Sequence, residues 1–348
     1  MNRSIRLPLA AALITFGACA HAPAASTSGA YVVRATYPLG GPGRWDLLAV
    51  DARRHHLFVT RSDHVQVMDT RSGEGVATID GNDGAHGIAI AAPLNRGYVT
   101  NGRSNTVTEF DLGTLRRTRD LPVSGQSPDA VVFDAASGRL FVMNARSNNA
   151  SVIDPAGGKE IATIAFDGNP ELAVSDGRGH VFVNIEDQGK VDAIDTDTLQ
   201  VVHSWPLPGC EEPSGLAIDV SHARLFSVCQ NGVMAITDAT TGREVALVSI
   251  GEGPDGAAFD PRSQLAFSPN GASGTLTLVH EDDPEHFRVV QTLATQVSAR
   301  TIALDPDSQL LYLPAARFGP KPDDPGQRAP LIPDSFRILA VGEVVPPR

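Results

Sequence analysis

Seven residues recur at one place in a repeated pattern: Asp46, His86, Asp129, Glu171, Ser214, Asp255 and Arg300, spaced roughly 40–45 residues apart. Each opens a short apolar stretch that closes, in all but one case, on an aspartate: Asp51, Asp134, Asp176, Asp219, Asp260 and Asp305. If the stretches are equivalent strands, their starting ends meet, and four carboxylates, an imidazole, a hydroxyl and a guanidinium converge. Carboxylates held together repel one another, and one divalent cation relieves that repulsion. Asp129, Glu171 and Asp255 are the expected metal ligands. Oxygen ligands alone suit Ca²⁺ or Mg²⁺, whereas adding His86 suits Mn²⁺ or Zn²⁺. In such a site His86 is placed as a general base, and Arg300 holds an anionic group of a substrate.

A second set of polar residues follows the strands that come next. Asn101, Arg103, Asn144, Arg146 and Arg317, with Arg61 and Asn184, are expected on the same face as the seven. With Asp46 and Ser214, Asn101, Arg103, Asn144, Arg146 and Arg317 make a ligand-binding set. Arginines opposite carboxylates suit a zwitterionic or carboxylated ligand. A plainer account stands beside this one: the polar residues solvate a channel mouth, and Arg300 bridges its neighbours Asp46 and Asp255. Trp45 either packs at that mouth or stacks on a ligand. The recurring aspartates are too regular to be catalytic and are read as turn caps. His280 and His286 flank Glu281-Asp282-Asp283, a segment read as an exposed loop. No Gly-rich phosphate loop, paired-Cys zinc spacing or Gly-x-Ser-x-Gly elbow is present.

The elements that must position these residues are short strands. After each Asp-ended strand comes a second apolar one: Leu57-Phe-Val-Thr60, Tyr98-Val-Thr-Asn101, Leu140-Phe-Val-Met-Asn144, Val181-Phe-Val-Asn184, Leu225-Phe-Ser-Val228. Third strands such as Ala150-Ser-Val-Ile-Asp154 and Val191-Asp-Ala-Ile-Asp195 align well, and Gly/Asp turns separate the units. A four-stranded unit of about 40–45 residues is the signature of a propeller blade. Seven units are counted. The last lacks a fourth strand, and Tyr31–Tyr37 has that strand's pattern. The expectation is therefore an all-β, seven-bladed β-propeller over residues 31–342, in which the N-terminal strand completes the last blade and closes the ring. The long insertion Pro314–Ser335, with six prolines, joins the second and third strands of that blade. It reads as a lid or rim over the mouth, or as a disordered excursion.

Tyr98-Val99-Thr100-Asn101, its degenerate copies and the Val-x-Val-Ile-Asp third strands resemble the YVTN-repeat, YncE-like family of exported seven-bladed propellers. The resemblance covers nearly all of residues 31–342. It implies the fold well and the activity poorly, since such propellers resemble surface and periplasmic binding proteins and have relatives among lactonases and lyases. Several copies depart from the motif, with Arg61, Cys229 and Pro269 near the place of the Asn.

The formal charge is −12, a surface that repels phosphate backbones, so nucleic acid is not an expected partner. No apolar run is long enough for a transmembrane helix. Arg3 and Arg6, the apolar stretch Leu7–Ala18 and small residues up to Ala22 form a signal peptide over 1–22, followed by a linker at 23–30. Phe16-Gly-Ala-Cys19 resembles a lipobox, so a lipid anchor through Cys19 is the alternative to free periplasmic or secreted protein. Residues 343–348 form a tail. An oxidising compartment favours a Cys210–Cys229 disulfide, since antiparallel pairing brings both to one end of a blade. The functional reading is a monomeric exported propeller that binds a small ligand or envelope protein at the channel mouth. The alternatives are a divalent-metal-dependent hydrolase or lyase at that mouth, and an envelope scaffold.

Overall fold

The computed structural model describes residues 29–322, 324 and 326–344; the expected signal peptide with Cys19, most of the expected linker and the last four residues lie outside these. Seven four-stranded antiparallel sheets are present. Six are simple meanders. The seventh runs Tyr31–Pro38, Arg337–Glu343, Leu311–Ala315, Ala303–Leu304 in space, so the N-terminal strand supplies the outer edge of the last blade. Residues 31 and 343 are paired directly. Fastening the two ends of the strand region in one sheet closes the ring without leaving an inner edge open.

The second strand of each blade is its most buried element: Leu57, Phe58 and Val59, or Leu140, Phe141, Val142 and Met143, are inaccessible to solvent. Outer strands such as Arg117–Pro122 are largely exposed. The apolar clusters lie between blades rather than within them. Phe58, Val65 and Val67 of the first blade pack with Ile88, Val99 and Phe110 of the second, and Phe141 and Val152 pack with Val183 and Ile194. A blade therefore cannot bury its faces without two neighbours, which is why the repeat must close into a ring.

The repeated Tyr-Val-Thr-Asn residues serve this packing. Thr100 Oγ1 accepts from Gly87 N–H (2.7 Å) in its own blade and donates to Asp129 C=O in the next. Thr60 Oγ1 sits at the same place with two acceptors in reach of its hydroxyl proton, Leu47 C=O (2.9 Å) in its own blade and His86 C=O (2.7 Å) in the next. The Asn clamps its own hairpin: Asn101 Nδ2 donates to Thr106 and Thr108, Asn144 to Asn149 and Ser151, Asn270 to Thr275 and Thr277. Strand register corrects two sequence assignments. Pro254 pairs with Asn270, so the sixth blade keeps its Asn one residue beyond Pro269. Asn184 falls where the Thr belongs and performs its task, donating to Ser214 and Gly215 C=O of the next blade (3.2 and 3.1 Å).

Inner strands pack tightly enough to need glycine. A Cβ on Gly87 would lie 2.3 Å from Asp129 O, and one on Gly215 2.4 Å from the Gly256 carbonyl carbon. The recurring aspartates cap turns as expected; Asp51 accepts from Arg54 N–H and Asp260 from Arg262 and Ser263. The Cys210–Cys229 disulfide is formed. No helix among the described residues is long and apolar enough to cross a membrane.

Candidate ligand site at the channel mouth

The seven recurring residues occupy equivalent places. Each stands at one offset before the residue paired with the aromatic of the second strand: Ala49↔Phe58, Ala89↔Tyr98, Val132↔Phe141, Val174↔Phe182, Ala217↔Phe226, Ala258↔Phe267 and Ala303↔Tyr312. In the first five blades the ladder is broken there. Trp45 pairs with Arg61 and pairing resumes at Leu48↔Val59; Ala85, Pro128, Pro170 and Pro213 begin the same irregularity. A bulge releases a residue from the ladder and re-aims its side chain. Here the released positions include Asp46, His86 and Asp129, whose side chains converge.

Five of the seven form a continuous chain across blades six, seven, one, two and three. Arg300 Nε lies 2.7 Å from Asp255 Oδ2, and its Nη2 lies 3.1 Å from Asp46 Oδ1. Asp46 Oδ2 is 2.7 Å from His86 Nδ1, which is 3.8 Å from Asp129 Oδ1. The hydrogen bond to Asp46 raises the His86 pKa against the opposing effect of burial, with Asp129 adding to the rise. Burial works against the Arg300 charge, but Asp255 and Asp46 outweigh it and hold the guanidinium charged. Burial, then the charge of Asp46, pushes Asp129 up to about 7. Burial, then Asp129, pushes Glu171 up to about 9, so it is protonated at neutral pH. Asp255 rises to about 6 through burial, which Arg300 only partly offsets. Burial thus raises all three of these acids, while Arg300 stays charged between Asp255 and Asp46.

Above the chain opens a cavity of about 580 Å³. Asp46, His86, Arg103, Asp255 and Arg300 line it, with Trp45, Arg44, Phe318 and Arg328. The last two come from the Pro-rich insertion, whose described residues form a rim. Phe318 bridges to Leu331, and Gly319 N–H donates to Pro330 C=O at 2.8 Å. Arg44 donates to Ala329 C=O and lies over the Phe318 ring, 4.7 Å from its centre. Trp45 packs between Phe318 and Phe336 at 5.9 and 5.3 Å. Its indole N–H is buried and has no hydrogen-bond partner among the described residues. Among the described residues neither Arg44 nor Arg328 pairs with a carboxylate, while Arg103 is held by Asp83 at 2.6 Å. Burial and then Arg328 and Arg300 lower the Arg44 pKa, the mark of cations crowded together.

The other expected residues lie elsewhere. Asn101 and Asn144 are buried inside their hairpins, their amides committed to the clamps described above. Ser214 is buried and donates to Pro254 C=O at 3.1 Å. Arg146 and Arg317 are exposed and do not line the cavity. Arg61 is wholly buried, donating to Gly40, Gly41, Pro42 and Gly43 C=O and stacking 3.8 Å from the Phe336 ring centre. The side chains whose ligand atoms come within 4.8 Å of one another are Asp46, His86 and Asp129, not the trio Asp129, Glu171 and Asp255; Arg300 holds Asp255 aside. Sequence reasoning missed Arg44, Phe318 and Arg328. Their only signal was the unique insertion and the residue next to Trp45.

No protein-family model matches the chain, and no curated protein matches it. Solved structures do. Hydrazine synthase of Kuenenia stuttgartiensis aligns at 17% identity over 80% of this chain and 94% of that one, TM-score 0.68. U3-55K aligns at 11% identity over 87% and 97%, TM-score 0.73. The WD40 repeats of RRP9 align at 11% over 90% and 99%, TM-score 0.75. This chain is a seven-bladed β-propeller. At such identities the likeness shows the fold alone.

Proposed function

We propose that this propeller is an exported binding protein that holds a small anionic, carboxylate-class molecule in the mouth cavity. The observation that carries the reading is the pairing of Arg44 and Arg328, without carboxylate partners among the described residues, with the Trp45–Phe318 wall. Guanidiniums capture the carboxylate, and the aromatic wall takes the apolar part. In a chain of formal charge −12, a cationic rim selects for anions against the general field. The YVTN-like repeats and the 1–22 leader support export, as does the disulfide. The test is calorimetric titration of the full chain with aliphatic and aromatic mono- and dicarboxylates, followed by Trp45 fluorescence. Binding that falls at least tenfold in Arg44→Ala/Arg328→Ala supports the reading; preference for neutral or cationic compounds would overturn it.

A second reading rests on the convergence of Asp46, His86 and Asp129. Two carboxylates and an imidazole suit Mn²⁺ or Zn²⁺, and the anion held above would then face a metal-assisted hydrolysis or elimination. Elemental analysis of wild type beside Asp129→Ala separates the two readings. An ion lost with Asp129 favours the metalloenzyme.

A further inference from the structure

A second convergence of acids and histidine lies on the face opposite the mouth. Asp219 ends the inner strand Pro213–Asp219 of blade five, and His222 stands in the turn that follows. The partner comes from blade six. Its third and fourth strands, Thr275–Asp283 and His286–Ala294, are nine residues each, against six in the neighbouring blade. The added length is paired structure, not the exposed loop that its acidic run suggested. It carries Glu281 beyond the point where His280 pairs with Leu265 and sets it against blade five.

The extension is fastened there. Arg224 donates to Pro284 C=O at 2.7 Å and lies 3.1 Å from Glu285, and Arg243 reaches the same Glu285 oxygen at 2.6 Å. Held this way, the Glu281 side chain is 1% exposed, as is that of Asp219. Asp219 Oδ2 and Glu281 Oε1 each lie 2.8 Å from His222 Nδ1. Yet among the described residues Asp219 Oδ2 and both Glu281 oxygens have no well-formed hydrogen bond. One imidazole nitrogen can serve at most one of these three oxygens. Buried carboxylate oxygens left without donors are strongly unfavourable. Burial, then the charge of Asp219, pushes Glu281 up to about 7.

We propose that Asp219, His222 and Glu281 bind a transition-metal dication, Zn²⁺ or Mn²⁺, that ties blade five to the extended hairpin of blade six. The imidazole and two carboxylates form a nitrogen–oxygen donor set suited to these ions rather than to Ca²⁺. Their ligand atoms already lie within 4.8 Å of one another, so little has to move. Asp219 Oδ1 accepts from Ser221 N–H and Oγ–H (2.8 and 2.6 Å), which fixes the carboxylate and leaves Oδ2 for the ion. His222 keeps 37% of its side chain exposed, which gives the ion an entry path and room for water ligands. The site is independent of the mouth and of what binds there.

The test strips the full chain with a chelator and titrates it with Zn²⁺ and Mn²⁺ by calorimetry, with melting curves beside. Wild type should gain one more equivalent than Glu281→Gln and than His222→Ala, with affinity at the lost site reduced at least tenfold. Melting should rise with metal in wild type and less in the variants. Glu281→Gln without metal should melt at or above wild type, since it removes a buried charge, so lost binding there is not unfolding. Asp46→Asn at the mouth should keep this equivalent. Wild type that takes up neither ion, or an uptake equal in wild type and both variants, would overturn the assignment.

Discussion

Arg300 and Asp46 meet across the seam of the ring. Their Nη2–Oδ1 distance is 3.1 Å although 254 residues separate them. The contact joins the last blade to the first on the channel side, while Tyr31–Pro38 joins them on the rim. Thr301 Oγ1 adds a bond to Asp46 C=O at 2.9 Å. The same guanidinium serves Asp255, so one side chain pairs with two channel acids and completes the closure.

Arg300→Met should therefore destabilise the protein through the acids it leaves behind. The side chain is 42% exposed, so solvent screens part of the loss, and about 1–2 kcal/mol is expected. Urea unfolding measures it. Arg300→Lys should recover only part, because one ammonium cannot span both carboxylates.

Stability should depend on Glu171 in a stated direction. Its pKa is raised from 4.5 to about 9 on folding, so the native state binds the proton more tightly than the unfolded chain. That contribution is fully present below pH 4.5 and is lost as pH rises toward 9. Asp129, raised from 3.8 to about 7, acts in the same sense over the lower part of this window. Glu171→Gln should match wild type near pH 4.5 and melt a few degrees higher by pH 9. Melting curves across the range check it; a difference independent of pH would refute the assignment.

The Cys210–Cys229 disulfide closes a short loop, 19 residues apart in sequence. Reduction, or Cys210→Ser/Cys229→Ser, should cost about 2–4 kcal/mol. It ties the entry of blade five to its second strand, beside the bulge at Ser214, so the loss should appear in denaturant midpoints measured with and without reductant.

The repeat itself was legible because each blade must satisfy the same inter-blade contacts, and equal contacts demand equal residues at equal spacing. Thr60 and Thr100 recur for that reason, and the clamp asparagines recur because each hairpin is closed in the same way. The seven channel positions were legible on the same ground, as was the Arg300 bridge, since rotational equivalence turns sequence period into spatial proximity. Asn101 and Asn144 looked like ligands because strand ends at a mouth are polar. Only register shows their amides turned inward to the third strand.

What the sequence alone determined was the architecture, the closing strand and the ring of channel residues, because these follow from periodicity. What tertiary structure decided was which side chains meet where the period breaks. The rim that brings Phe318 and Arg328 over Trp45, the side-chain directions that join Asp46, His86 and Asp129, and the hairpin that sets Glu281 against Asp219 are single-copy features. No repeat announces them, and their partners lie in distant segments, so only the folded chain shows what they meet.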